Sequence, residues 1–280
     1  MTVETISRHA CFGGVIGFYR HRSEATGTDM RFGVYLPPGA AERKLPVLTY
    51  LAGLTCTEET FLIKAGAARF ASRLGLILVA PDTSPRGLNL PGEDEDWDFG
   101  TGAGFYLNAA QPPWAGHYTM ADYVTEELPA IIAREFPAEM ERQGLFGHSM
   151  GGHGALVLAL RNPGRYRSVS AFSPICNPCA VPWGEKAFSR YLGPDRAAWA
   201  EWDASALMRR RALPLEILVD QGLEDQFLRE QLHPEALEAA AAESGQRLTL
   251  RRHPGYDHSY WFIQSFIEDH MNHHARALTG

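Results

Sequence analysis

The segment Leu145-Phe146-Gly147-His148-Ser149-Met150-Gly151-Gly152-His153-Gly154 constrains this chain more than any other. It reads as a buried strand that ends in Gly-x-Ser-x-Gly and runs at once into an apolar helix. A serine at such an elbow needs an unfavourable backbone conformation, and side chains at the two flanking positions would collide with the adjoining strand and helix. Gly147 and Gly151 remove those Cβ atoms. The elbow also lifts the hydroxyl above the carboxyl edge of a sheet and sets it at a helix N-terminus, where backbone N–H groups favour negative charge. Ser149 is therefore the candidate nucleophile. The bare motif recurs by chance in glycine-rich turns, so the remaining sequence has to supply its partners.

That sequence first supplies a sheet. Runs at Ile6 to Phe12, Val15 to Tyr19 and Arg31 to Leu36, separated by Gly13-Gly14 and Gly27-Thr28-Asp29, predict antiparallel edge strands. Pro46 to Leu51, Leu76 to Ala80, Tyr166 to Phe172, Leu215 to Val219 and Gln246 to Arg251 predict further strands. Helices are expected near 59–73, 118–135, 231–244 and 259–276, with Pro129 kinking the second. Strands alternating with helices imply an α/β class with a mostly parallel sheet covered on both faces. No repeat, linker or low-complexity stretch divides the chain, so residues 1–280 read as a single domain.

Two irregular regions stand out. From Pro81 to about Gly116 the sequence has no helical or strand period but carries Trp97, Phe99, Phe105, Tyr106 and Trp114, which predicts an ordered loop packed beside a site. Residues 174–212, with Trp183, Phe188, Tyr191, Trp199 and Trp202, predict short helices forming a cap.

A formal net charge of −7 argues against nucleic acid or an anionic membrane as partner. No segment approaches about 18 consecutive apolar residues and no leader pattern opens the chain, which reads as soluble and cytoplasmic. Four cysteines fit reduced thiols. Cys176-Asn177-Pro178-Cys179 lacks a second pair to complete a zinc site, Glu93 to Asp96 reads as a solvated loop edge, and His270, His273 and His274 read as a solvated helix end. No metal or cofactor is expected.

A serine hydroxyl needs a base, and the base an orienting acid. In a parallel sheet both belong on loops at the carboxyl edge. Asp220 and Asp225 follow one strand, His253 and His258 the next, and the order Ser, Asp, His is that of α/β-hydrolases. Asp225 is preferred because Asp220 lies at the strand end, where it reads as a turn cap. His258 is preferred because the Gly255 turn carries it further over the edge, although the residues alone leave both alternatives open. Met150, after the nucleophile, offers one oxyanion N–H, and Leu54, in the loop after Leu51, the second. Cys56 reads as a neighbour lining the site and His153 as a residue packed under a loop.

With these residues in place, the chain resembles the S-formylglutathione hydrolase or esterase D family of α/β-hydrolases. The resemblance is carried by Leu51-Ala52-Gly53-Leu54-Thr55-Cys56-Thr57, Pro81 to Gly87, Gly100 to Tyr106, Gly147 to Leu156, Pro182 to Phe188, Asp220-Gln221-Gly222 and Asp257-His258-Ser259. It implies a triad of Ser149, Asp225 and His258 with oxyanion donors Leu54 and Met150. It further implies cleavage of a glutathione thioester to formate and glutathione in formaldehyde detoxification, no cofactor, and a homodimer. Cys56, Trp183 and Lys186 are the expected substrate-binding residues, and Lys64, Arg86 and Lys186 the candidate partners for glutathione's carboxylates. Ala52 and Asn108 depart from the family's usual Ser and Asp. The alternative is a general short-chain carboxylesterase or acyltransferase with the same triad.

Overall fold

The computed structural model describes residues 2–280. Nine strands form one sheet in the order β1-β2-β3-β5-β4-β6-β7-β8-β9. They are β1 (Val3–Cys11), β2 (Gly14–Arg22), β3 (Asp29–Leu36), β4 (Leu45–Leu51), β5 (Ile77–Pro81), β6 (Ala138–His148), β7 (Ser168–Phe172), β8 (Ile217–Gly222) and β9 (Leu248–His253). β1, β2 and β3 pair antiparallel, as does β3 with β5, and every later pairing is parallel. The expected antiparallel edge and parallel centre are both present.

The helices are α1 (Glu58–Lys64), α2 (Ala68–Leu74), α3 (Met120–Asp122), α4 (Leu128–Glu135), α5 (Met150–Arg161), α6 (Pro182–Tyr191), α7 (Arg196–Ala200), α8 (Ala204–Arg210), α9 (Pro234–Ser244) and α10 (Tyr260–Leu278). Side chains alternate across a strand, so each central strand feeds two cores. On β4, Val47 and Leu51 join the cluster under α4, α5, α8 and α9, while Leu48 and Tyr50 join the cluster under α1, α2 and α10. Phe61, Phe146, Phe172 and Phe262 in the second cluster are fully buried, each burial contributing about 1.5–3 kcal/mol. α5 and α10 thus clamp the sheet from opposite faces.

Two expected helices differ from their sequence reading. The one near 59–73 is two helices, because Gly66 takes φ 67° between α1 and α2. The one near 118–135 contains a π turn at Tyr123–Glu127 immediately before Pro129. Proline cannot donate to the carbonyl four residues back, which is that of Thr125. Arg165 supplies the missing donor, its guanidinium bonding to the Thr125 carbonyl. The expected kink is thus a local change of helical pitch, accommodated by a partner from another segment.

Candidate active site

The parallel strands bring four loops to one edge: those after β4, β6, β8 and β9. Ser149 sits at the elbow between β6 and α5 with φ 57° and ψ −120°. This strained conformation is held by three backbone bonds: Ser149 N–H to the Phe172 carbonyl at 3.0 Å, and the Ser149 carbonyl accepting from His153 at 2.9 Å and Ile175 at 3.4 Å. The two glycines are required by contact. A Cβ on Gly147 would lie 2.3 Å from the Gly151 carbonyl oxygen, and one on Gly151 would lie 1.9 Å from that of Leu51.

Asp225 and His258 meet across the loops after β8 and β9. His258 Nδ1 lies 2.5 Å from Asp225 Oδ2, which fixes that nitrogen as the donor and leaves Nε2 to accept a proton. The carboxylate is held by two more donors: Gln221 Nε2 at 3.3 Å to Oδ2 and the Phe227 N–H at 2.9 Å to Oδ1. Its side chain is wholly buried, while that of His258 retains 12% exposure. The Phe227 ring packs edge-on against His258 at 5.0 Å, and the His148 ring lies 4.4 Å away. Burial, then the adjoining His258, push His148 well below the usual histidine range, so it stays neutral beside the other imidazole.

The loop after β4 closes the site. A Cβ on Gly53 would approach that of Ser149 to 3.2 Å, so the backbone of this loop lies directly against the serine. Three segments fix it: Tyr106 Oη donates to the Ala52 carbonyl at 2.9 Å, Thr55 N–H to Gly102 at 3.0 Å, and Thr83 Oγ1 to the Cys56 carbonyl at 2.7 Å. Leu54 and Ser149 line a common cleft of about 250 Å³ with Cys56, Thr60, Lys64, Trp97, His148, Trp183, Phe227, His258 and Tyr260. Trp97, Trp183 and Phe227 form a continuous aromatic wall, with centroids 5.8 Å and 4.7 Å apart. Burial pushes the Cys56 thiol up, which favours the neutral thiol over the thiolate.

Several sequence expectations are revised here. Asp220 is no turn cap: Arg251, His253 and His270 all donate to its buried carboxylate. Burial raises its pKa, but the bonds from His270 and Arg251 outweigh that and hold it well below the carboxylate range. His270 and His274 are fully buried, so the C-terminal histidines are not a solvated helix end. Glu93 is buried too, accepting from Tyr118 Oη at 2.8 Å, while Asp94 and Glu95 are exposed, so the acidic run staples the loop at Glu93 and is a solvated edge after it. Lys186 does not line the cleft; its Nζ lies 2.6 Å from Asp98 and 3.1 Å from Asp96. Arg86 is bound to Asp82 and to the Cys56 carbonyl. Cleft residues that the sequence does not mark as site residues include Thr60, Trp97, Phe227, Tyr260 and the His148 ring.

A mostly parallel sheet, a nucleophile elbow after its central strand and an Asp–His pair over the same edge define an α/β-hydrolase of the serine type. The Esterase family model matches residues 23–273. The chain is 52% identical over 282 residues to S-formylglutathione hydrolase of Rattus norvegicus, covering all of both chains. It is 53% identical to that of Paracoccus denitrificans, covering 99% of each. A solved S-formylglutathione hydrolase from Agrobacterium tumefaciens superposes with a TM-score of 0.96 at 50% identity, covering 98% of this chain and 99% of the other. The chain belongs to the S-formylglutathione hydrolase family of esterases.

Proposed function

We propose that this chain hydrolyses S-formylglutathione to formate and glutathione, with Ser149 as nucleophile, His258 as general base and Asp225 as its orienting acid. The observation that carries the reading is the convergence on one cleft of the Ser149 elbow, the Asp225–His258 pair and the backbone of Leu54. Ser149 Oγ attacks the formyl carbon while His258 Nε2 takes its proton, and the N–H groups of Leu54 and Met150 receive the oxyanion. The C–S bond then breaks and glutathione leaves as the thiol with the proton from His258. Water, deprotonated by the same imidazole, attacks the formyl-enzyme and releases formate.

The acyl group carries a single hydrogen, so a narrow acyl pocket suffices, and Trp183 with the Cys56 side of the cleft supports that fit. A thiolate leaves readily, which makes leaving-group protonation less demanding than in amide cleavage. The one continuous sheet supports reading residues 1–280 as one domain, and the four free cysteines support a reducing cytoplasm. Among the described residues no helix is long and apolar enough to cross a membrane. The homodimer belongs to the same proposal and is tested by light scattering.

The test compares kcat/KM on S-formylglutathione and on small aryl acetates. A preference for the thioester is expected, with loss of turnover and of fluorophosphonate labelling in Ser149→Ala. Aryl acetates preferred by orders of magnitude would overturn the thioester assignment.

A further inference from the structure

We propose that the Lys64 ammonium binds the glycyl carboxylate of the leaving glutathione, so that Lys64 is the residue that sets preference for this peptide thioester over small neutral esters. The inference rests on the substrate reading above and assigns a contact within it.

Lys64 is the one lysine or arginine that lines the cleft among the described residues. Other candidate cations are already neutralised. Lys186 is paired with Asp98 and Asp96, Arg190 with Asp96, and Arg86 with Asp82. Lys64 makes no ion pair among the described residues. Its ammonium instead lies 5.9 Å from the centre of the Tyr260 ring, itself a wall of the cleft. Lys64 is exposed at the cleft, and it is close enough to act electrostatically on the Cys56 thiol. The backbone at this point is fixed, because Gln264 at the start of α10 donates to the Lys64 carbonyl at 2.5 Å. The last turn of a helix favours a lysine in any case. That preference accounts for the residue type but not for its orientation along the cleft.

The charge pattern then selects which end of glutathione it meets. The γ-glutamyl end carries a carboxylate beside an ammonium, whereas the glycyl carboxylate stands alone. No aspartate or glutamate lines the cleft among the described residues, so nothing there would receive the ammonium. A lone cation among apolar walls suits the lone carboxylate. Glycine directly follows the sulfur-bearing cysteine in glutathione, so the glycyl carboxylate lies within the span of two residues, up to about 7 Å. Ser149, Leu54, Cys56, Thr60 and Lys64 all line this one cleft.

The experiment measures kcat and KM of the full chain and of Lys64→Met on S-formylglutathione, on its S-formyl glycinamide analogue and on 4-nitrophenyl acetate, with Lys64→Arg as the charge-retaining control. Loss of one charge-assisted bond predicts a roughly tenfold rise in KM on S-formylglutathione with kcat little changed. The ratio of kcat/KM on S-formylglutathione to that on 4-nitrophenyl acetate falls by the same factor, and Lys64→Arg restores it. The unmodified enzyme discriminates acid from amide, and Lys64→Met does not. Equal discrimination by both proteins, or an unmoved ratio, overturns the Lys64 assignment alone. Failure of the unmodified enzyme to turn over S-formylglutathione overturns the substrate reading beneath it.

Discussion

Asp220 accepts a hydrogen bond from His253 at 3.1 Å, a pairing that repeats, with the same separation of 33 residues, the 2.5 Å contact between Asp225 and His258. Both combinations that the residues left open therefore exist as Asp–His pairs. They differ in what surrounds them. Asp220 is saturated by Arg251 and His270 and faces the α10 core, whereas Asp225 holds one histidine at the wall of the Ser149 cleft. A base must reach the serine and still exchange a proton with substrate, and of His253 and His258 only the latter lines that cleft.

Replacing the two aspartates separates these roles. Asp225→Asn is expected to lower kcat by about 10⁴-fold, as loss of the orienting acid does elsewhere, with a small change in Tm. Asp220→Asn leaves Arg251 and His270 without their carboxylate, a loss of about 3–5 kcal/mol that lowers Tm by roughly 10 °C. Calorimetry and steady-state kinetics on both variants decide the point, and the reverse pattern would exchange the assignments.

Gly151→Ala tests the elbow itself. Its added methyl would lie 1.9 Å from the Leu51 carbonyl oxygen and 2.6 Å from that of Ala52, and neither is a mobile side-chain tip. The expectation is a protein that fails to accumulate in soluble form. A soluble variant with unaltered near-UV circular dichroism would show that the elbow yields more than its contacts allow.

Tyr106→Phe tests the support of the oxyanion loop. The hydroxyl it removes is bonded to the buried Ala52 carbonyl, two residues before Leu54. An unsatisfied buried acceptor costs about 1–3 kcal/mol in urea unfolding. A displaced donor at Leu54 can cost up to about 10²-fold in kcat. A variant that lost stability while keeping full kcat would mean that Gly102 and Thr83 position the loop unaided.

Acid should destabilise the fold through its buried histidines. Burial holds His153 and His273 at about 4, and pushes His270 and His274 down as well. Unfolded histidine titrates near 6.5. Between these values the unfolded chain binds more protons, so stability is full above about 6.5 and declines as pH falls toward 4. For the fully buried His153 the loss at pH 5 is about 2 kcal/mol. Tm measured from pH 7.5 to 5 is expected to fall, and His153→Asn should show a shallower fall than the unsubstituted chain; parallel curves would remove His153 from the account.

The strands were legible because a parallel sheet covered on both faces leaves near-continuous apolar runs, and Val47 to Leu51 or Val169 to Phe172 can be little else. The elbow and the two loops that carry the Asp and His candidates were legible because covalent order and strand ends place them. Long-range polar contacts were not. Glu93 finds Tyr118 across 25 residues, and Arg86 turns inward to Asp82, with no periodic signal in either case. The buried histidines carried one that was passed over: Ile263, Ile267, His270, Met271, His274 and Leu278 recur at helical spacing, so the histidines share the apolar stripe of α10. Composition marked them as polar, but their position marked them as core.

That stripe has a mechanical consequence. Ser168 lies 2.7 Å from His274 Nδ1, and Ser170 2.8 Å from both His274 Nε2 and His270 Nδ1, while His270 Nε2 reaches Asp220 at 3.2 Å. Assigning protons so that each contact is satisfied gives a single direction, from the Ser168 hydroxyl through neutral imidazoles to the Asp220 carboxylate. The ladder rivets α10 to β7 and β8, and α10 begins two residues after His258. His258 therefore hangs from a helix whose height above the sheet is set twelve to sixteen residues downstream. A cavity or a misplaced proton deep under the sheet would be felt at the cleft as an imidazole out of register.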